Sequence, residues 1–294
     1  MSFSSTNAPQ KDVISVPRVW MLDVDGVLVS LLSKRAEERL IEIFAHRLMI
    51  GEPVTFNSGR SPVAIAELVL SHLEQQVADK TRLSRVMVVG EKAGAWADYL
   101  PNGTFQMAFD TTLVVPSILT SAMRGLVEDS AFIDLMEMEG GKQTMMSVIK
   151  RSGVPLDAFQ QAQAKFVLLA QQRLADLGLT NAWKIDAVSD STEIEHTSAN
   201  KGKGAYRIMN WPHNQGIQSQ HVIAIEDSPS GIAMAEALHR MQISVEFVFT
   251  GSQPLPSRTY AFPVIYTAQR YEQGTIEYLA QYHEAFSLPL SVRG

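Results

Sequence analysis

The chain has 294 residues, of which 46% are apolar and 19% are charged, with a formal net charge of −6 and no cysteine. This length is sufficient for two modest cores, and the lack of cysteine excludes disulfides, thiol nucleophiles and thiolate zinc sites. The acidic balance disfavours nucleic acid as a partner, because phosphate backbones require a basic face.

No apolar run approaches the ~20 residues that a membrane span needs, so we expect no membrane association. Residues Met1 to Gln10 are polar and have neither the cationic start nor the apolar centre of a signal peptide. We therefore expect a cytoplasmic protein, either a monomer or a homodimer.

The first informative segment runs from Val19 to Leu28, where an apolar stretch ends in Asp23, Asp25 and Gly26. The stretch shows no polar alternation, which predicts a strand buried on both faces of a parallel sheet. Ligands of such sheets collect at the carboxyl ends of the strands. Two interpretations are open at this point, a reactive carboxylate pair and an ordinary strand followed by an Asp-Gly turn.

A second apolar strand begins at Val54 and runs into Ser58, Gly59 and Arg60. Ser61 and Pro62 follow, and they suit the N-cap and the first position of a helix. A hydroxyl and free backbone N–H groups at this junction suit a phosphate, and Arg60 adds positive charge. The alternative is ordinary capping of a helix.

The next elements, in chain order, are predicted from hydrophobic periodicity and from turn residues. They are a strand near 85–89, a turn over 90–95, a strand near 104–109, a helix near 116–128, a strand near 144–149, a helix over 155–177, and strands near 184–188 and 192–196.

A helix is predicted to begin near Lys201, in the segment Ser198 to Ala205. A lysine at a helix N-terminus is electrostatically unfavourable unless an anion shares the site, so Lys201 and Lys203 are candidates for binding phosphate. The alternative is a solvated basic turn.

A last buried strand, from Val222, ends in Glu226 and Asp227 before a helix that starts near Ile232. These acids face those of the first strand, and converging hard oxygen ligands suit Mg²⁺. Alone, the pair would be an ordinary helix cap. Residues 271–286 are predicted to form an amphipathic helix that packs on the core.

Taken together, these four segments resemble the four signature motifs of the haloacid dehalogenase superfamily, in the order in which that superfamily carries them. The resemblance implies that Asp23 is the nucleophile and Asp25 the acid/base, and that Ser58 and Lys201 bind the transferring phosphoryl group. Gly59 and Arg60 of the second segment are further candidates for binding the substrate. The resemblance also implies a Mg²⁺ site formed by Asp23, the backbone carbonyl of Asp25, Glu226 and Asp227.

The presence of Asp25 argues against dehalogenation, since a halide leaving group needs no acid. Two departures from related sequences are visible. Ser58 stands where relatives usually carry threonine, which keeps the hydroxyl. The segment Glu226 to Gly231 is more similar to the sugar phosphomutase-like branch than to the Cof-type phosphatases, which leaves a mutase as an alternative.

Spacing within this resemblance predicts the architecture. Roughly 140 residues separate the second and third motifs, which is enough for a further domain. The expected fold is α/β, with a Rossmann-like parallel-sheet core and helices on both faces, formed by residues 1–95 and 198–294. Residues 96–197 are expected to form an inserted α+β cap, similar to those of Cof-type and sugar-phosphate phosphatases. Four charged residues of this cap are candidates for contacting substrate, with solvated surface charge as the alternative: Glu139, Lys142, Asp190 and Glu193.

The resulting hypothesis is a Mg²⁺-dependent phosphomonoester hydrolase that acts on a small phosphorylated metabolite, a sugar phosphate, through an aspartyl-phosphate on Asp23. A phosphomutase or phosphotransferase uses the same motifs and is the alternative enzyme. A non-catalytic protein that binds phosphorylated metabolites is the alternative outside enzymes.

Overall fold

The computed structural model describes residues 14–15, 18–100, 102–214 and 217–282. The strands in chain order are β1 (Ile14–Ser15), β2 (Val19–Leu22), β3 (Val54–Asn57), β4 (Val86–Gly90), β5 (Ala95–Tyr99), β6 (Phe105–Phe109), β7 (Met136–Met138), β8 (Met145–Lys150), β9 (Trp183–Ala187), β10 (Ser191–His196), β11 (Ile217–Gln218), β12 (His221–Glu226), β13 (Ser244–Phe249) and β14 (Val264–Tyr266). The α-helices are α1 (Glu38–Met49), α2 (Pro62–Ile65), α3 (Ser71–Gln76), α4 (Ser117–Val127), α5 (Leu156–Asp176), α6 (Lys201–Asn214), α7 (Ile232–Arg240) and α8 (Tyr271–Tyr282).

The largest sheet has eight strands in the order β14-β13-β12-β2-β3-β4-β5-β6. Its strands from β14 to β4 pair in parallel, and β5 and β6 add an antiparallel edge. Strand β2 lies between β3 and β12. Strands β3 to β6 are added on one side of β2, and the later strands β12 to β14 are added on its other side. This reversal is a topological switch point, where a crevice opens at the carboxyl ends of the strands.

The lack of alternation in the apolar strands is explained by burial on both faces of this sheet. Trp20 and Leu22 of β2 pack in one apolar cluster with Phe44 of α1. Val19 and Met21 pack in a second cluster with residues of α6 and α7. Because neighbouring side chains of a strand point to opposite faces, both sets must be apolar when helices cover both faces.

A second sheet of four antiparallel strands has the order β7-β8-β10-β9. Helices α4 and α5 cover it with a separate apolar cluster that includes Met123, Phe159 and Phe166. The predicted strands near 144–149, 184–188 and 192–196 and the two predicted helices are confirmed, within a residue or two at each end. We refer to this unit as the cap.

One assignment within the cap is wrong. The strand predicted near 104–109 exists as β6, but it pairs with β5 in the eight-stranded sheet and is not part of the cap sheet. The cause is a long-range backbone pairing, which local periodicity does not report. The domain boundaries stay a prediction, and this pairing favours a first boundary near residue 110 over one at residue 95.

The predicted start of a helix at Ser61 is also confirmed. Ser61 Oγ accepts a hydrogen bond from the N–H of Ala64 at 3.2 Å, and Pro62 occupies the first turn. The C-terminal helix is confirmed as far as Tyr282, and its predicted continuation to 286 lies outside the described residues, as do residues 1–10. Among the described helices, none combines the length and apolar character needed to cross a membrane.

Candidate active site

The ends of three neighbouring strands form the centre of the candidate site. Asp23 follows β2, Ser58 follows β3, and Glu226 is the last residue of β12. The N–H of Asp23 donates to the carbonyl of Ile225 at 3.0 Å, and the N–H of Ser58 donates to the carbonyl of Val89 at 2.9 Å. These backbone hydrogen bonds fix the strand ends, so the three side chains lie together at the carboxyl ends of the parallel strands, as the sequence predicted.

Lys201 joins two of these strand ends. Its Nζ lies 2.6 Å from Asp23 Oδ2 and 2.6 Å from Glu226 Oε2. Burial lowers the pKa of Lys201, but the charges of Asp23 and Glu226 outweigh this effect and raise it. Lys203, the other lysine considered, instead binds Asp110 at 3.1 Å. The structure thus places Lys201 among the carboxylates and Lys203 away from them.

Three carboxylates converge around this lysine. Asp23, Glu226 and Asp227 each offer an oxygen, and these oxygens lie within 4.8 Å of one another. Burial and the neighbouring Asp23 raise the pKa of Glu226, and the same two causes raise the pKa of Asp227 to about 7. Burial also acts to raise the pKa of Asp23, but the charge of Lys201 and the hydrogen bonds that Asp23 makes together outweigh it, and the net shift is downward. With all three carboxylates ionised, the cluster would carry more negative charge than one ammonium neutralises.

Two glycines allow these carboxylates to come close to the backbone. Gly26 has φ +67°, and a β-carbon there would lie 2.2 Å from Asp227 Oδ2. A β-carbon at Gly231 would lie 1.9 Å from Glu226 Cγ. Neither position accepts a side chain without moving a carboxylate of the cluster.

Asp25 lies beside the cluster, with its side chain held by Arg60. Arg60 Nε donates to Asp25 Oδ2 at 2.6 Å and Nη2 donates to Oδ1 at 2.7 Å. Burial lowers the pKa of Arg60, but Asp25 and, more weakly, Glu139 raise it. The bidentate pair was not predicted, because the two residues are 35 positions apart and only the fold brings them together.

The last residue of β3 is a further polar residue that sequence reasoning missed. Asn57 Nδ2 donates to the backbone carbonyl of Lys201 at 2.8 Å, and Asn57 is fully buried. A β-carbon at Gly204 would lie 2.2 Å from Asn57 Oδ1, so this glycine allows α6 to approach the end of β3. The available signal was an amide at the end of a buried strand. Ser58 is itself 2% exposed and lies next to Asn57.

The four cap candidates occupy different places. A β-carbon on Gly59 would lie 3.3 Å from Glu193 Oε1, so Glu193 reaches the loop after β3. Glu139 pairs with Lys142 at 2.8 Å, and both line a cavity of about 370 Å³ with Gly141. Asp190 pairs with Lys34 at 3.2 Å, and both side chains are about half exposed. The structure brings Glu193 next to the loop that carries Gly59 and Arg60, where the charge of Glu139 also raises the pKa of Arg60, and leaves Asp190 at the periphery.

A turn between β4 and β5 adds contacts that no sequence pattern predicted. Glu91, Lys92 and Ala93 have φ of +51°, +51° and +84°, in the left-handed region that favours glycine. Such a conformation costs roughly 1–2 kcal/mol per residue, and strained backbone concentrates at functional sites. The segment was predicted to be a turn, but charged residues at positive φ leave no recognisable signal in a sequence.

The structure is similar to solved phosphatases along most of its length. The C-terminal domain of trehalose-6-phosphate phosphatase from C. albicans matches with a TM-score of 0.65 and 14% identity, over 93% of this chain and 94% of that one. The trehalose-6-phosphate phosphatase of Aspergillus fumigatus matches with a TM-score of 0.51 and 14% identity, over 90% and 92%. An N-terminally truncated IMP-nucleotidase of Plasmodium falciparum matches with a TM-score of 0.54 and 10% identity, over 92% and 71%.

No protein-family model matches the sequence, and no curated protein matches it. At such low identities the structural similarity establishes the fold alone. The fold class predicted from the sequence is confirmed: the chain shares the fold of the phosphatase structures that it matches, with a mostly parallel α/β core and an additional antiparallel sheet.

Proposed function

We propose that the chain is a Mg²⁺-dependent phosphomonoesterase that hydrolyses a sugar phosphate through an aspartyl-phosphate on Asp23. The observation that carries this proposal is the contact of Lys201 Nζ with Asp23 Oδ2 and Glu226 Oε2, at 2.6 Å each. A buried ammonium beside a carboxylate at a strand end is the arrangement that an anionic nucleophile needs in order to approach an anionic substrate.

The carboxylate cluster fits a magnesium ion. Asp23, Glu226 and Asp227 supply hard oxygen donors within 4.8 Å of one another, which is the donor type that Mg²⁺ prefers. The backbone carbonyl of Asp25 remains a proposed fourth ligand. When bound, Mg²⁺ would neutralise charge on the phosphoryl oxygens and on the nucleophile.

The proposed reaction divides between two aspartates. Asp23 attacks phosphorus in line and the bond to the leaving oxygen breaks, while Asp25 donates a proton to that oxygen. Asp25 then accepts a proton from the water that attacks the aspartyl-phosphate. To reach the leaving oxygen, Asp25 must break its bidentate contact with Arg60. The guanidinium of Arg60 then becomes available to bind a phosphoryl oxygen. Ser58 and the backbone N–H of Gly59 are the other proposed contacts of the phosphoryl group.

The leaving-group side supports a neutral, hydroxylated substrate. Two lysines there already have a carboxylate partner: Lys142 has Glu139 at 2.8 Å, and Lys92 has Glu193 at 2.5 Å. A second anionic group on the substrate would compete with these carboxylates for the two lysines. Paired carboxylates and ammonium groups instead offer acceptors and donors to hydroxyls.

A panel of phosphate esters tests the proposal. The panel contains hexose and disaccharide phosphates, nucleoside monophosphates and phosphorylated hydroxy acids, each assayed with Mg²⁺ and with excess chelator. We expect release of inorganic phosphate from sugar phosphates and its loss on chelation. An isomerised sugar phosphate in place of inorganic phosphate would indicate the mutase alternative, and no reaction with any compound would contradict catalysis altogether.

A further inference from the structure

The left-handed turn of Glu91, Lys92 and Ala93 connects two parts of the candidate site. On one side, its backbone binds the loop that carries Ser58 and Arg60. The N–H of Glu91 donates to the carbonyl of Arg60 at 2.9 Å, and the N–H of Lys92 donates to the carbonyl of Ser58 at 3.0 Å. The turn is thus joined by hydrogen bonds to the proposed phosphate-binding loop.

On the other side, the Glu91 side chain binds the cap. Its Oε2 accepts hydrogen bonds from the N–H of Gln143 at 2.9 Å, the N–H of Thr144 at 2.6 Å and the hydroxyl of Thr144 at 2.8 Å. Glu91 is 1% exposed, so these three donors supply the hydrogen bonds that water would make to its carboxylate. A β-carbon at Gly94 would lie 1.8 Å from Thr144 Oγ1, so the cap packs directly against the turn.

Lys92 extends the connection to the cap sheet. Its Nζ lies 2.5 Å from Glu193 Oε2 and 2.5 Å from Glu195 Oε2, both on β10, and 3.9 Å from Asp186 Oδ2 on β9. Burial lowers the pKa of Lys92, but these carboxylates outweigh it and raise the pKa. Lys92 therefore stays charged while it binds carboxylates of the cap.

Glu193 is the member of this group that faces the site. A β-carbon on Gly59 would lie 3.3 Å from Glu193 Oε1 and 3.9 Å from Lys92 Cε. Glu195 is 1% exposed and also pairs with Lys184 at 2.7 Å. Its buried carboxylate therefore anchors the ammonium of Lys92. The ammonium thereby fixes Glu193 next to the phosphate-binding loop.

We propose that Lys92 is a positioning residue, which holds Glu193 of the cap against the Ser58–Arg60 loop and so sets where the leaving group of the substrate lies. This inference rests on the proposed phosphatase function and deepens it. The strained backbone is consistent with such a role, because the turn must present Glu91 to one part of the cap and Lys92 to another while its N–H groups bind the loop.

The test compares two substrates with leaving groups of different size. The sugar phosphate that reacts best in the panel reaches the cap, whereas acetyl phosphate has a leaving group too small to do so. The variant Lys92→Met removes the ammonium, and Lys92→Arg restores a cation. The matched control is Lys34→Met, which removes another ion pair to the cap, one that is about half exposed.

For Lys92→Met we expect kcat/KM for the sugar phosphate to fall by about 10²-fold, through a raised KM and a lowered kcat, because the leaving group is misplaced. Acetyl phosphate should change by no more than about threefold, since it does not contact the cap. Lys92→Arg should recover most of the loss, and Lys34→Met should resemble the parent with both substrates. An equal loss with both substrates, or no loss with either, would overturn the inference.

Two further measurements distinguish a failure of the positioning role of Lys92 from a failure of the proposed phosphatase function. If Lys92→Met does not fold, as thermal unfolding would show, Glu193→Gln retains the shape of the partner and should produce the same substrate-selective loss. Hydrogen exchange of β10 should become faster in Lys92→Met but not in Lys34→Met, whatever the reaction is. If the unmodified protein hydrolyses no ester, the proposed function fails, and unchanged exchange of β10 would overturn the positioning role independently.

Discussion

The candidate site has two sides that differ in how their charges are arranged. At the strand ends, Lys201 is the buried ammonium among the carboxylates of Asp23, Glu226 and Asp227. On the cap side, Lys92 and Lys142 each face at least one carboxylate at 2.5–2.8 Å. With its carboxylates ionised, the strand-end cluster has an excess of negative charge that suits a metal ion, and Lys201 offers positive charge to a phosphoryl group. On the cap side the two lysines are paired with carboxylates, which suits neutral hydroxyls. In the proposed function, the strand ends perform the chemistry and the cap side selects the substrate.

The largest expected effect comes from the proposed nucleophile, Asp23. Asp23→Asn keeps the shape of the side chain but removes its negative charge, so phosphate release should fall by roughly 10⁴-fold or more. Steady-state assays with the best sugar phosphate measure this loss. Asp157→Asn, on an exposed position of α5, is the matched control and should retain full activity. Substantial turnover by Asp23→Asn would exclude Asp23 as the nucleophile.

The next largest effect concerns Lys201. Lys201→Met should lower kcat by about 10²- to 10³-fold, because a preorganised positive charge at the transferring group is lost. It should also destabilise the metal-free protein by about 3–5 kcal/mol, since two buried carboxylates lose their partner. Activity assays and urea unfolding check the two effects. Lys203→Met, which removes only the contact with Asp110, should leave kcat near that of the parent. Comparable losses in both variants would contradict the assignment of Lys201.

On the cap side, a smaller and substrate-selective effect is expected. Lys142 contacts Glu139 and Ser147 and its side chain is 5% exposed. Lys142→Met should lower kcat/KM for the sugar phosphate by about tenfold, which is the scale of one lost polar contact, and should spare acetyl phosphate. Lys165→Met, on the exposed face of α5, serves as the control. A loss that is equal for both substrates would remove the distinction between the two sides of the site.

The smallest effect is the pH dependence of metal binding. Burial and the charge of Asp23 raise the pKa of Asp227 from 3.8 to about 7, so the folded metal-free protein binds this proton where the unfolded chain does not. The contribution of Asp227 to stability therefore falls as the pH rises from about 4 to about 7.

Since Mg²⁺ requires the carboxylate, Mg²⁺ should raise the unfolding temperature more at pH 8 than at pH 6, by on the order of a few degrees. Thermal unfolding at both pH values, with and without Mg²⁺, measures the difference. Asp227→Asn should reduce it, and a larger effect of Mg²⁺ at pH 6 would contradict the interpretation.

The strand ends were predictable because their signal is local. Each of β2, β3 and β12 is a mostly apolar run that stops at polar residues, and parallel strands bring such ends together. Strand β5, which lies between β4 and the edge strand β6, was not predicted, because its Asp98 interrupts the apolar pattern. In the structure Asp98 is 9% exposed and accepts hydrogen bonds from Trp211 Nε1 at 3.0 Å and Gln106 Nε2 at 2.9 Å. A polar residue that is satisfied by distant partners is not visible in a sequence window.

The contacts between core and cap were unpredictable for a related reason. Glu193 was a candidate from its position in the cap. Its pairing with Lys92 joins residues about a hundred positions apart. The pairing also depends on the left-handed backbone at Lys92, a conformation that favours glycine. Likewise, Arg60 was expected to contact phosphate, and its bidentate contact with Asp25 emerged only from the fold.

A burst experiment tests the central claim, that Asp23 forms a covalent phosphoenzyme which Asp25 helps to hydrolyse, most directly. Asp25→Asn is mixed rapidly with p-nitrophenyl phosphate and Mg²⁺, because this good leaving group needs little acid assistance. We expect a burst of about one equivalent of p-nitrophenol per active site followed by slow turnover, and no burst from the double variant with Asp23→Asn. A burst of the same size in the double variant, or turnover by Asp25→Asn without any burst, would contradict the account.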